Sequence, residues 1–399
     1  MSDSIDRTKL PLIFYRFLIS RFLTGITMTG YIIFYSWLIV SIFHSVFLAG
    51  MLITITLAIE IGFSFPIGHL IDVFNNTTLN FYSNVIMILG FIILLFSGEI
   101  YFIYAATAIS VLGWAIKLDT FSAIIKKHLS ENLFKKANSL NNVTNSLSSI
   151  LGTIMGGVSI ILFPNYFKYI LLAISTAAVI LSVPVPEKSF KSEGRIQSFV
   201  KDVREAGLFI RKISGFLILA FFLNGLFISL DTYSSGLFKI VLKSSPLLYT
   251  IFSMSVPIGI IMGTPLANVG YFRKDRPFAI SILVLLFSPF LIILSISKSP
   301  LLDIFDALLI GMILPIINIP LLTRLMKLVP KSIYGKVMAF LKIFTGGASP
   351  VMGAIFSFFV IFASIPIILL YVGILVIPLT LYGIWMIPRF FRLTPEFES

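Results

Sequence analysis

The chain of 399 residues is 58% hydrophobic and only 12% charged, with a mean hydropathy of +1.03. Soluble domains carry about 25% charged residues, so this composition excludes a water-exposed globule and fits lipid as the solvent. Having no cysteine, the chain has no disulfides, thiolate metal sites or thiol catalysis. The net charge of +13 lies between apolar runs rather than along one helix face, which argues against nucleic acid and for basic loops at a membrane.

A helix crossing ~30 Å of hydrocarbon needs about 20 apolar residues. The runs here are continuous rather than alternating, which predicts helices and not barrel strands. Residues 1–10 contain Asp3 and Asp6, unlike a cleavable signal, so the first span, 12–42, is expected to be retained. It carries Arg21, Thr24, Tyr31 and Tyr35 as a polar stripe. Span 46–71 places Glu60 between Thr56 and Ser64 at four-residue spacing. Spans 79–98 and 100–126 follow, the latter lining up Thr107, Ser110, Trp114 and Lys117, with Asp119 nearer its cytoplasmic end. Spans 139–163, with Asn138, Asn142, Asn145 and Ser149, and 166–184 complete a first half.

The one long separator, 185–212, is polar and mixed in charge. Beyond it come 213–239, with Asn224, Asp231 and Ser235, then 246–270, with Gly259-x-x-x-Gly263. Spans 277–297, 300–328, 335–362 and 364–390 follow, and Asp303 and Asp306 sit close to the outer end of 300–328. The expected fold is an all-α integral membrane protein of twelve transmembrane helices in two pseudo-twofold-related six-helix bundles. The bundles occupy 1–184 and 213–399, joined by a cytoplasmic central loop at 185–212.

With both termini in the cytoplasm, twenty-three of the thirty basic residues fall on the inner side and four on the outer. That asymmetry is the positive-inside pattern of a multi-pass protein of the cytoplasmic membrane. An offset of about two hundred residues superposes the halves. Lys135-Lys136-Ala137-Asn138 opens the fifth span and Gly335-Lys336-Val337-Met338 the eleventh, each followed by glycines: Gly152, Gly156 and Gly157, then Gly346, Gly347 and Gly353. Small residues four apart allow close helix approach, and two six-span halves match the parallel repeats of secondary transporters.

Ionisable residues at bilayer depth mark functional sites, because each costs roughly 2.5–3.5 kcal/mol on insertion scales. Arg21 and Lys342 lean toward the cytoplasmic interface and can snorkel. Glu60 and Lys117 lean toward the bilayer centre and must pair, line a wet cavity or be neutralised. Glu60 and Asp231 are the proton-coupling candidates. Arg21, Lys117, Thr24, Tyr31, Trp114, Asn224 and Asn145 are the cavity or substrate candidates. Asp303 and Asp306 read as a hydrated helix start, with acids near the positive end of the dipole.

Four segments carry a family resemblance: Arg21-Phe22-Leu23-Thr24-Gly25 through Trp37, Ser45 through Pro66-Ile67-Gly68-His69-Leu70-Ile71-Asp72, Ala137-Asn138-Ser139-Leu140, and Val329-Pro330 through Met338. In order and spacing the chain resembles the major facilitator superfamily, and within it the branch of macrolide and siderophore exporters. The resemblance implies a monomeric secondary transporter in which spans 1, 4, 7 and 10 line a central cavity. It also implies a gating loop in which Gly68 and Asp72 hold the start of span 11 near Lys336. Val73 stands where the family has arginine, which removes the arginine-based part of that latch.

No phosphate-binding Gly-x-x-x-x-Gly-Lys loop occurs, so ATP-driven pumping is not expected. His44, His69 and His128 have no metal-ligand spacing, and no catalytic constellation is present; no enzyme activity, cofactor or metal is expected. The expected partners are a small, amphiphilic or lipophilic solute, a coupling proton or sodium ion, and membrane lipid. The reading is proton-coupled efflux by alternating access. The alternative is a non-transporting sensor or binding protein on the same scaffold.

Overall fold

The computed structural model describes residues 10–129, 131–185, 207, 209–267, 276–329 and 334–393, and every regular element among them is helical. In chain order these are α1 (Leu12–Phe43), α2 (Val46–Gly62), α3 (Ser64–Val73), α4 (Asn76–Ile93), α5 (Ile100–His128), α6 (Glu131–Leu162) and α7 (Phe167–Leu181). Then follow α8 (Ser214–Gly236), continued by a π-helical turn (Leu237–Val241), and α9 (Pro246–Leu266), α10 (Pro277–Leu285), α11 (Phe287–Ile296), α12 (Pro300–Leu328), α13 (Tyr334–Phe359) and α14 (Ile365–Arg392). Among the described residues, nine helices are long and apolar enough to cross a bilayer, ten if the bent pair α2–α3 counts as one span. The central loop falls largely outside the described residues.

Two expected spans are interrupted, and proline accounts for both. The second bends by 42° between Gly62 and Ser64. Pro66 has no N–H to give the Gly62 carbonyl four residues back, and its ring crowds that carbonyl. Ser64 Oγ donates to the Ile61 carbonyl at 2.7 Å instead. The Thr56–Glu60–Ser64 stripe is therefore broken between its last two members. The ninth span divides at Leu286, and Pro289 stands in the same relation to Leu285.

The turns after α1 and after α8 share an unusual feature. His44 and Lys243 both have a φ of 49°, a left-handed conformation uncommon for residues with a Cβ. In each case a serine caps the next helix, accepting from the N–H of its third residue: Ser45 Oγ from Leu48 N at 3.3 Å, and Ser245 Oγ from Leu248 N at 3.4 Å. Asn75 caps α4 in the same way, accepting from Thr78 N at 3.0 Å. Asn75 is thus the N-cap, and Asn76 and Thr77 are buried in the first turn of α4.

The chain divides into two compact units: Met1–Leu38 with Ile55–Ser192, and Ile39–Thr54 with Glu193–Ser399. In the first, α4 and α5 pack most closely, with Gly90 against the backbone of Ala106 and Ser110, and Gly113 against Ser83 and Met87. On α6, Gly152 and Gly156 meet Ile26 and Gly30 of α1, where an added Cβ would lie 2.6 Å from a carbonyl oxygen. In the second unit α9 and α12 cross through Gly259, Gly263 and Gly311, as the small-residue spacing predicts. Gly347 differs from expectation: among the described residues, an added Cβ there would meet nothing within 4 Å. The close approach of α8 to α13 is made by Gly225 against Met352.

The hairpin Ile39–Thr54 belongs to the second unit. Gly50 presses on Ser357 and Thr232, and Thr54 Oγ1 lies 3.5 Å from Ser357 Oγ. Tyr233 donates to the Phe356 carbonyl at 2.6 Å. At the far end of each unit an arginine closes the last helix. Arg16 donates to the Val183 carbonyl beyond α7, and Arg324 donates to the carbonyls of Phe391 (2.7 Å) and Leu393 (2.5 Å) at the end of α14.

Candidate functional site

In the first unit the polar stripes of α1 and α5 meet each other and a third stripe on α4. Lys117 is 0% exposed. Its Nζ donates to Ser20 Oγ at 2.7 Å and to Asn80 Oδ1 at 3.1 Å. Ser20 spends its own proton on the Ala178 carbonyl at 2.8 Å, which leaves its lone pairs to face the amine. Asn84 joins the same cluster. Its Nδ2 donates to Ser182 Oγ at 2.7 Å and its Oδ1 accepts from Thr24 at 3.0 Å. Higher on α1, Tyr31 Oη lies 2.7 Å from Thr107 Oγ1 and 3.0 Å from the Ile103 carbonyl. Lys117, Thr24 and Tyr31 thus sit inside helix packing, held by neutral partners, and not at an open surface.

A second group forms where α1, α5 and α6 come together. Arg21 Nε donates to Asn145 Oδ1 at 3.2 Å, and its guanidinium lies 5.0 Å from the Phe121 ring centroid. Asp119 is the acid within electrostatic range of it. One turn along α1, Gly25 abuts Ser148, with the Trp114 ring close by. The structure therefore gathers Arg21, Asn145 and Trp114 in one group, with Arg21 still within electrostatic range of Lys117. Asn145 and Trp114 are half-buried, and Asn138 and Asn142 on the same face of α6 are exposed.

The second unit holds a cavity of about 490 Å³ between α8, α10–α11, α12, α13 and α14. Its walls are mostly Phe, Leu and Ile side chains, and its polar side chains are Asn224, Asn318 and Thr345. Volume and lining are those of a small-molecule site: an apolar bowl with a few polar groups to fix orientation. Asn224 Nδ2 donates one N–H to the Ala220 carbonyl at 2.8 Å, which leaves its Oδ1 and a second N–H to offer a solute. Asp231 stands two turns further along α8 on the same face and is exposed.

Glu60 lies half-buried in the last turn of α2, three residues before the break at Phe63. Gly68 is exposed on α3, and among the described residues an added Cβ there would meet nothing within 4 Å. The helical backbone at Asp72 and Lys336 is described but their side chains are not, so the gating contact lies outside the described residues. Sequence reasoning missed Ser20, Asn80, Asn84 and Asn318. The spacing of Asn80 and Asn84, one turn apart in an apolar run, was the available signal.

The Major Facilitator Superfamily profile matches residues 17–354. No curated protein sequence matches the chain. Among solved structures, a mutant of the nucleoside transporter NupG is similar over 95% of this chain and 100% of its own, with a TM-score of 0.75 and 11% identity. A peptide transporter POT in complex with sulfate is similar over 96% of both chains, with a TM-score of 0.74 and 15% identity. At such identities the likeness speaks to the fold alone, whereas the family profile spans most of the sequence. The chain belongs to the Major Facilitator Superfamily, and is a membrane transporter rather than an enzyme.

Proposed function

We propose that this chain is a secondary active transporter that exports a small, amphiphilic or lipophilic solute across the cytoplasmic membrane by proton-coupled alternating access. The observation that carries the solute class is the cavity bounded by α8, α12 and α13. An apolar bowl with two amides and a hydroxyl suits a largely uncharged molecule that offers one or two hydrogen-bonding groups. The shorter apolar helices Phe167–Leu181 and Phe344–Phe359, with the α2–α3 pair, support twelve spans in two six-helix bundles, 1–184 and 213–399, around a central loop at 185–212. The matching left-handed turns at His44 and Lys243 support a repeat between the halves. With both termini in the cytoplasm, the cavity lies among the inner halves of the spans, as loading from the cytoplasm requires. The exporter-like branch of the family, a monomer, and cavity roles for Arg21, Asn145 and Trp114 complete the reading.

The test is flux in proteoliposomes with a panel of amphiphilic dyes. Asn224→Leu removes the amide and fills part of the bowl. It is expected to raise the half-saturating concentration about tenfold, since one hydrogen bond is worth about 1.4 kcal/mol at most in this setting. Unchanged flux in both Asn224→Leu and Asn318→Leu would remove the cavity from the pathway. Glu60→Gln, with normal expression, is expected to uncouple flux from an imposed pH gradient while leaving solute-driven exchange. Undiminished coupling would exclude Glu60 as the proton carrier.

A further inference from the structure

The outer end of α12 is not the hydrated helix start that its acids imply. Asp303 is 0% exposed and Asp306 3%. They lie one turn apart on one face and within electrostatic range of each other. Both carboxylate oxygens of Asp303, and one of Asp306, are buried with no hydrogen-bond partner among the described residues. Ser299, at the N-cap, makes no side-chain cap. Among the described residues, the Ser297 hydroxyl is the one side chain within reach of Asp303, and its single proton also has the Ser299 carbonyl at 3.2 Å as an acceptor.

The titratable or charged groups on the elements packed here are Tyr249 of α9 and the exposed Lys298 of the loop entering α12; α10 and α11 carry none. Two buried acids thus lie one turn apart, with at most one hydroxyl proton among the described side chains to share over three buried carboxylate oxygens. Burying carboxylates without compensation is among the most expensive arrangements in a protein interior. The helix dipole offers only a fraction of a charge at such an end. The remaining compensation is a small cation held between them.

We propose that Asp303 and Asp306 together form a binding site for a single monovalent cation, H⁺ or Na⁺. That ion is coupled to the cycle alongside the proton carried by Glu60, a step that rests on the transport reading above; the site itself does not. Neither Glu60 nor Asp231 has this arrangement of two adjacent acids. The ion binds between the carboxylates by coordination or as a shared proton, and no covalent step is involved.

The experiment uses purified full-length protein in nanodiscs, wild type against Asp303→Asn, Asp306→Asn and the double variant. The amide is nearly isosteric and uncharged, so all three variants are expected to elute as the wild type does and to unfold at or above its temperature. In the proton arm, infrared difference spectra between acidic and alkaline buffer are expected to contain a carboxyl C=O band that loses at least half its intensity in the double variant. In the sodium arm, replacing choline by Na⁺ at alkaline pH raises the unfolding temperature of the wild type alone. A response in either arm that disappears in the double variant supports the site and names its ion. Identical behaviour of wild type and double variant in both arms overturns it. Flux is measured separately: a variant-sensitive binding response with no gradient-driven flux in the wild type would leave the ion site standing and defeat the transport reading.

Discussion

Gly263→Leu is expected to prevent assembly of the second unit, giving protein that aggregates on extraction instead of a single elution peak. The reason lies in how α9 crosses α12. A Cβ at Gly263 would run into the Met312 carbonyl oxygen, with Met312 C and Cα at 2.8 Å; a Cβ at Gly259 would meet Leu308 and Gly311 in the same way. These are backbone atoms, which cannot swing aside as the end of a side chain can. The helices must separate, giving up van der Waals contact along the whole crossing, and in lipid that contact is a main source of helix association. Overpacking in cores usually costs about 1–3 kcal/mol, and a clash against backbone belongs at the upper end. Gly347→Leu is the matched control. Among the described residues, an added Cβ at Gly347 would meet nothing within 4 Å, so the same change there should leave the unfolding temperature nearly unaltered. Equal behaviour of the two variants would mean that the α9–α12 crossing is looser than described.

Lys117→Glu is expected to be nearly as damaging, and Lys117→Gln to be tolerated. The amine is a donor among oxygen acceptors. Ser20 is already committed as a donor to the Ala178 carbonyl, and Asn80 presents Oδ1. A carboxylate would place acceptor against acceptor at a fully buried site and introduce an uncompensated charge. Errors of that kind cost about 3–5 kcal/mol. Glutamine keeps N–H donors at almost the same reach and discards the buried charge, so its unfolding temperature should equal or exceed that of the wild type. Ser20→Ala tests the same geometry from the other side: removing an acceptor from Lys117 should lower stability by about 1–3 kcal/mol. If Lys117→Glu were as stable as Lys117→Gln, the amine would have to face water, contrary to its burial.

What the sequence made legible was whatever depends on local chemistry. Apolar run length placed a helix over every expected span, and Ser45, Asn75 and Ser245 marked helix starts by the usual side-chain capping. Gly259 and Gly263 announced a close crossing by spacing alone. The two breaks were equally local and went unread: Pro66 and Pro289 each sit four residues past the point where the helix opens. Partner identity was the harder part. That Lys117 needed neutral or charged company followed from its depth, but its acceptors lie 97 and 37 residues away, and no periodicity within one helix reveals which stripe faces which. Asp303 and Asp306 were misread for a related reason. Being near the end of a span suggested water, whereas the packing of α9 and α11 over that end, a tertiary fact, buries them.

The hairpin between α1 and α2 has a consequence for how the protein is made. Its second arm, α2, docks in part on residues synthesised far later: Thr54 and Ser357 are 303 positions apart. During biosynthesis Gly50 can meet Thr232 of α8 first, but the contacts of Gly50 and Thr54 with Ser357 must wait until α13 has been inserted. Contacts of such long sequence separation form late and slowly. Assembly of the second unit is then a closing event that waits on the final spans, and a ribosome stalled in α12 would leave the first hairpin without its mate, a natural handle for quality control to grasp.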